Sequence, residues 1–424
     1  MSEPNSERRD VAVIGAGYVG IPHAATFAEA GCSVLVVDVV PGLVEQLNRG
    51  ESHIEDVSSE RLAPLVSSGK LRATTDYAEV AECDAVVIAV PTPLSRQREP
   101  DLSIVEAAAR SLATVLREGQ LVVLESTTWP GTTRELLQPI LESSGLRAGE
   151  DFHLAFAPER VDPGRTDWTT KTTPKVVGGI TPACTERAAE LYERAIDTVH
   201  RVSTPEAAEL TKLLENTFRA VNIALVNELA VLCDRMNIDI WEVVDAASTK
   251  PFGFMRFSPG PGLGGHCIPV DPFYLTWKAR EYGFHTEFIE LAGKVNEEMP
   301  YFCRSLISQA LNHGAQKAMK GARILVLGVA YKPDIGDMRE SPALKIISLL
   351  ENAGADVSFH DPHVDRVDDL KSVPYEPDAY DCVVIVTDHS DFDYDALVDE
   401  AKLIVDLRNA TGAKGTAAEN VFKL

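Results

Sequence analysis

One cysteine stands out from the rest of the chain by its neighbours. Cys267 follows Gly264, Gly265 and His266 in a tight loop, and Pro269 and Asp271 lie just beyond it. A cysteine acts as a nucleophile when a nearby positive charge or base favours its thiolate. His266 and a lysine such as Lys212 are the available suppliers. The two glycines would let a substrate carbon approach the sulfur, while Pro269 and Asp271 would stiffen and polarise the far side. Composition alone equally allows a small buried thiol, and His266 could equally shape the loop. Lys212 and Asn216 are four apart in a segment of helical period, hence on one helix face. Read alone, they could be a solvated lysine beside a surface asparagine.

A second group has its own chemistry. Gly15-x-Gly17-x-x-Gly20 follows the apolar run Val11 to Ile14 and opens a helical stretch. In that context Gly15 permits a tight turn and Gly17 admits a pyrophosphate to the backbone. Gly20 lets the helix pack on the sheet, and Tyr18 and Val19 complete the turn. Asp38 ends the next strand, where it can accept hydrogen bonds from ribose hydroxyls. That acid disfavours a 2′-phosphate, so the motif predicts NAD rather than NADP. Pro91-Thr92 and Ser126-Thr127 each follow a predicted strand, which puts them at the ligand-binding edge of the same sheet. A third group, Lys332 and Arg339 with Arg408, could hold phosphates or form a salt-bridged loop.

The elements that must carry these residues fall into an α/β pattern interrupted by helix. Val/Ile/Leu runs at Val11 to Ile14, Val34 to Val37, Ala85 to Val90 and Leu121 to Leu124 alternate with helical segments. This predicts a doubly wound, Rossmann-like sheet over residues 1–202. Thr204-Pro205 then opens a stretch to Met236 without Gly or Pro, predicting a helix of ~30 residues, ~45 Å long. Further helices are predicted at Trp241 to Ala247 and Phe273 to Lys294, giving an all-α section over 203–300. A second Rossmann-like domain is predicted over 301–424. Its strands are Arg323 to Leu327, Asp356 to His360, Cys382 to Thr387 and Lys402 to Asp406. It lacks G-x-G-x-x-G, so a second dinucleotide is not expected there.

Composition narrows the function classes. The chain has 424 residues with 40 basic and 64 acidic side chains, a formal net charge of −24. Nucleic acid binding needs a basic face, and an anionic membrane surface is equally disfavoured. The seven cysteines are odd in number and none forms C-x-x-C, which argues against zinc ribbons and a disulfide scaffold. No metal site is expected. No apolar run reaches the ~18 residues of a membrane span. The polar Met1 to Asp10 segment lacks a signal-peptide core, so a cytoplasmic enzyme is expected.

Five markers, in order, resemble the UDP-glucose/GDP-mannose dehydrogenase family of nucleotide-sugar 6-dehydrogenases. They are GAGYVG at Gly15 to Gly20, Pro158-Glu159, the segment Glu209 to Glu228, GGHCIPVD at Gly264 to Asp271, and YKPDIGDMRES at Tyr331 to Ser341. The resemblance implies a four-electron oxidation of a sugar C6 alcohol, with NAD as hydride acceptor and Cys267 carrying a thiohemiacetal and then a thioester. It implies that Lys212 and Asn216 stabilise the oxyanion and hold a water. Asp271 would accept a proton through water, Glu159 would support that network, and Thr127 would sit beside the nicotinamide. Lys332 and Arg408 would grip the UDP part. Arg160, Arg256, Phe257, Gly264, Gly265 and Arg339 complete the implied substrate side. A homodimer through the central helical section is implied, as is a role in polysaccharide biosynthesis.

The sequence departs from the glucose-oxidising branch at three places. Val270 stands where that branch has a lysine, Pro163 where it has a second glutamate, and Pro251 where it has a cross-subunit arginine. Lys250 or Arg256 is the candidate replacement for that arginine. The stretch from Pro251 to Ala279 and the segment ERVDPG resemble instead the branch acting on UDP-N-acetylhexosamines. Within it the UDP-N-acetylglucosamine 6-dehydrogenases come first, and UDP-N-acetylmannosamine and UDP-glucose are the alternatives. A two-electron dehydrogenase would make no use of the thiol. A sensor without catalysis would show an eroded Lys212, Asn216 or Cys267, and all three are present.

Overall fold

The computed structural model describes residues 8–54, 56–95, 99–162, 167–265 and 268–424. Cys267, His266 and Pro163 lie outside the described residues. The chain forms two compact units, residues 1–215 with 273–283, and residues 216–272 with 284–424.

The first unit is built on eight strands: β1 Arg9–Ile14, β2 Val34–Val37, β3 Leu71–Thr74, β4 Cys83–Ile88, β5 Leu121–Leu124, β6 His153–Phe156, β7 Lys175–Gly179 and β8 Val199–Arg201. Their order is β3-β2-β1-β4-β5-β6-β7-β8. All neighbours are parallel except β6 and β7. The four central β1, β2, β4 and β5 strands are apolar on both faces because helices cover both. The order reverses between β1 and β4, which opens a crevice at their carboxyl ends.

The helix Asp271–Ala279 follows the Cys267 loop, and its residues from Phe273 on pack in this first unit. Tyr274 is fully buried, and its hydroxyl donates to the Thr92 carbonyl at 2.9 Å. Its ring stacks on Trp129 at 6.3 Å, and Trp277 lies 4.7 Å from the same indole. Lys278 reaches Glu135 at 2.6 Å. The predicted helix Phe273 to Lys294 is therefore not continuous. Gly283 adopts a left-handed conformation, φ 64°, and ends it; a new helix runs Glu287–Gly314.

The second unit carries β9 Arg323–Leu327, β10 Asp356–His360, the short hairpin β11 Arg366–Val367 and β12 Leu370–Lys371, then β13 Cys382–Ile385, β14 Ile404–Asp406 and β15 Val421–Lys423. The main sheet has the order β10-β9-β13-β14-β15 and is parallel throughout. Ser341 caps the helix Pro342–Asn352 by accepting from the Ala343 N–H, with Pro342 at the first helical position. Trp241, in the helix Ile240–Ser248, donates its indole N–H to the Leu424 carbonyl at 2.6 Å. The long helix runs Pro205–Met236, as its uninterrupted apolar period predicted; its residues to Glu215 belong to the first unit and those from Asn216 to the second.

Candidate active site

The glycine turn is shaped by what each missing side chain avoids. Gly15 has φ 102°, and a Cβ on it would lie 2.5 Å from the Ala89 carbonyl oxygen. A Cβ on Gly20 would collide with the Gly15 carbonyl. At Gly17 the same atom would meet nothing within 4 Å, so the open side of the turn is there. The first helix, Gly20–Glu29, starts at Val19 without a side-chain cap and with no acid in its first turn. Within its first turn the Ile21 N–H donates to the Gly17 carbonyl, the His23 N–H donates to the Val19 carbonyl and Pro22 has no N–H, so the Gly20 N–H is the one left for an anion among the described residues. Asp38 fixes the turn by accepting from the Ala16 N–H at 2.9 Å and the Val40 N–H at 3.0 Å. Thr92 is tied through its carbonyl to Tyr274. Ser126 donates to the Val90 carbonyl at 2.7 Å, and Thr127 is half-buried beside it. Pro91, Thr92, Ser126 and Thr127 all follow the ends of β4 and β5, at the same sheet edge as the turn. A dinucleotide fits this edge: an uncapped helix end, an open glycine and a placed carboxylate are its three requirements.

Below the turn lies a buried polar group of which sequence reasoning named Glu159 and missed His23, Glu125, Lys175 and Tyr192. His23, on the first helix, stands between Glu159, 3.0 Å from its Nε2, and Glu125, 3.3 Å from its Nδ1. Lys175, heading β7, is 2.9 Å from Glu125, 3.5 Å from Glu159 and 3.0 Å from His23 Nε2. Tyr192 donates its hydroxyl to Glu125 at 2.5 Å. Burial alone would raise the Glu159 carboxyl. At the acid pH where a carboxyl titrates, the charges of Lys175 and a protonated His23, with hydrogen bonds from His23 and the Val161 N–H, outweigh it and hold Glu159 well below the usual carboxylate range. Burial and the Glu125 carboxylate push the Tyr192 phenol well above its ordinary value. Three donors, His23, Glu125 and Glu159, are close enough to hold a metal ion. The Lys175 ammonium already supplies the cation at that place.

The long helix presents Glu209, Lys212 and Asn216 at i, i+3 and i+7, all buried. Glu209 accepts from the Gly131 N–H at 2.5 Å, the Thr133 N–H at 2.8 Å and the Thr133 hydroxyl at 2.7 Å. Burial pushes its carboxyl up to about 7 against those hydrogen bonds. Lys212 is 7% exposed and makes no hydrogen bond or ion pair among the described residues. Within the second unit, the Asn216 amide donates to Asp271 at 2.5 Å, with both side chains buried. Asp271 opens the helix that follows the Cys267 loop.

Gly264 and Gly265 have a different use from the one expected of them. A Cβ on Gly264 would lie 2.5 Å from Tyr331 Cβ, and one on Gly265, φ 84°, would lie 3.0 Å from the Tyr331 ring. The Gly265 N–H donates to the Arg339 carbonyl at 3.0 Å. What the glycines admit in this structure is Tyr331, so the Gly264–Gly265 backbone packs on the Tyr331–Ser341 segment.

Each arginine expected on the substrate side is held by a carboxylate. Arg160 forks onto Glu215 at 2.6 and 3.2 Å, Arg256 meets Asp245 at 2.5 Å, and Arg339 meets Asp337 at 2.5 Å. Arg408 reaches Asp388 at 3.1 Å. Phe257 packs edge-on against Phe218 at 5.8 Å. Lys332 follows Tyr331 in the bend after β9. The six cysteines other than Cys267 are buried and unpaired. Burial pushes the Cys83 thiol up to about 12 and raises Cys303 and Cys382 further, so these three are poor nucleophiles. Among the described residues, no helix is long and apolar enough to cross a membrane.

Known proteins share this arrangement along nearly the whole chain. Residues 9–196 match the NAD binding domain of the UDP-glucose/GDP-mannose dehydrogenase family, 206–298 its central domain, and 325–413 its UDP binding domain. A UDP-N-acetyl-D-mannosamine dehydrogenase of Pyrococcus horikoshii is 38% identical over 384 residues, 90% of each chain. A UDP-N-acetyl-D-glucosamine 6-dehydrogenase of Pseudomonas aeruginosa is 36% identical over 391 residues, 90% of this chain and 91% of its own. The solved structure of a UDP-glucose dehydrogenase from Pyrobaculum islandicum superposes with a TM-score of 0.87 at 31% identity, covering 99% of this chain and 98% of that one. The glycine turn, the buried lysine of the long helix and these matches agree: the chain belongs to the UDP-glucose/GDP-mannose dehydrogenase family, whose members are NAD-dependent nucleotide-sugar 6-dehydrogenases.

Proposed function

We propose that the protein oxidises the C6 alcohol of a UDP-N-acetylhexosamine, UDP-N-acetylglucosamine first, to the uronic acid. The observation that carries this reading is Lys212, a buried cation with no partner among the described residues, four positions before Asn216 on one helix. Such a pair is a preorganised stabiliser for an oxyanion. NAD, when bound, supplies the hydride acceptor for each of two oxidations. Cys267 adds to the aldehyde carbon after the first, and its C–S bond is kept through the second as a thioester. Water then forms the new C–O bond, the C–S bond breaks to the thiolate, and Asp271 accepts the water proton through a bridging water. Residues 1–202 serve the cofactor, 203–300 the chemistry and 301–424 the UDP part. UDP-N-acetylmannosamine is the second reading, favoured by the P. horikoshii relative.

A panel of UDP-sugars, read by NADH yield and product mass, tests this. Two NADH per sugar are expected, and a ratio of one overturns the four-electron reading. Cys267→Ser is expected to lower turnover to the uronate by on the order of 10³-fold or more, as loss of a covalent nucleophile does.

The assembly we propose is a homodimer through the central helices. The long helix leaves Leu210, Leu214, Phe218, Leu225, Leu229, Leu232 and Met236 exposed along one stripe. A stripe of that length is more apolar surface than a monomer ordinarily leaves in water. Sedimentation is expected to give a dimer, and a stable active monomer would refute it.

A further inference from the structure

The buried group under the glycine turn is electrically unbalanced. The titratable groups that face His23 are Glu125 after β5, Glu159 after β6, Lys175 on β7 and Tyr192 on the helix Pro182–Glu193. Tyr192 stays neutral, so two carboxylates stand against one ammonium. A neutral His23 leaves one negative charge buried without a partner, and an imidazolium removes it. The contacts of the imidazole fit each protonation state in part. Nδ1 faces two acceptors, the Val19 carbonyl at 3.1 Å and Glu125 at 3.3 Å, so it carries a hydrogen in either state. Nε2 lies 3.0 Å from a carboxylate oxygen of Glu159 and 3.0 Å from the Lys175 ammonium. With a proton there, the contact to Glu159 is satisfied and the one to Lys175 is strained. Without it, the reverse holds.

The same ring touches the cofactor helix. Val19, whose carbonyl accepts from Nδ1, is the residue at which the first helix begins. A pyrophosphate at that helix end adds negative charge within one helical turn of His23, and an added anion favours the charged form. We propose that His23 takes up a proton when NAD binds, and that the imidazolium then fixes Glu159 to the cofactor-binding helix. His23 is thus a positioning residue, and NAD is bound more tightly at low pH than at high pH. The inference rests on NAD binding alone and not on the identity of the sugar.

Calorimetric titration of the full-length protein with NAD, in buffers of different ionisation enthalpy near neutral pH, counts the protons taken up. Wild type is expected to take up a fraction of one proton. Its NAD affinity is expected to fall on the order of tenfold between about pH 6 and about pH 9, since proton uptake on binding makes affinity depend on pH. His23→Gln keeps a donor but cannot titrate, so uptake and slope are both expected to vanish. Glu159→Gln leaves one carboxylate against one ammonium, neutral without the imidazolium, and is expected to abolish uptake as well. Should His23→Gln fail to fold, Glu159→Gln decides. No uptake in the wild type, or uptake retained in either variant, overturns the proposal. Because no sugar is present in this measurement, a failed sugar panel and a failed proton count are separate results.

Discussion

Lys212→Met is expected to lower kcat by about 10²- to 10³-fold, the usual effect of removing one oxyanion donor. The same variant is expected to be more stable than the wild type, by on the order of 1 kcal/mol. Both effects have one cause. Lys212 is buried without a carboxylate among the described residues, so the fold bears its desolvation with no local return. Methionine keeps most of the stem and removes the charge. Steady-state kinetics and a urea melt on one preparation check the pair. A kcat within a few-fold of wild type removes Lys212 from the chemistry. Lost stability would mean that the ammonium has a structural partner after all.

The identical exchange at Lys175 is expected to have the opposite effect on stability, a loss of about 3–5 kcal/mol, the cost of breaking a buried ion pair by removing one partner. Lys175 lies between Glu125 and Glu159, and without it two carboxylates and a histidine share one buried space. The pH dependence has a definite sign. Glu159 is held below its ordinary value near 4.5, so its contribution is present above that pH and is lost as pH falls toward the depressed value. In Lys175→Met that depression shrinks, and the acid limb of the stability curve is expected to flatten. Urea melts across the acid range measure both. Equal losses at Lys175 and Lys212 would contradict the distinction between a paired and an unpaired buried lysine.

The sequence revealed some of these features and not others, and the difference is physical. The glycine turn is legible because its strand, its helix and Asp38 are consecutive in the chain. The long helix is legible because it needs only its own period. The His23 group is not, because its members are scattered from residue 23 to residue 192 and only the strand order collects them. One signal was present: His23 is the one ionisable side chain among the buried positions of the first helix. Gly264 and Gly265 show a subtler limit. Their spacing marks a close approach, yet the partner is Tyr331, 66 positions or more away, and no local pattern names it. Gly283 was a visible stop signal inside a helix predicted to continue.

The short helix after the cysteine loop makes the fold discontinuous in the gene. A fragment ending at residue 202 or 215 would contain the whole eight-stranded sheet yet lack Tyr274, Trp277 and Lys278. Its Trp129 indole would lose both aromatic neighbours, and the Thr92 carbonyl its phenol donor. The cofactor half is therefore not a portable cassette. Exchanging it between relatives means transplanting two stretches of coding sequence, the second embedded in the other half.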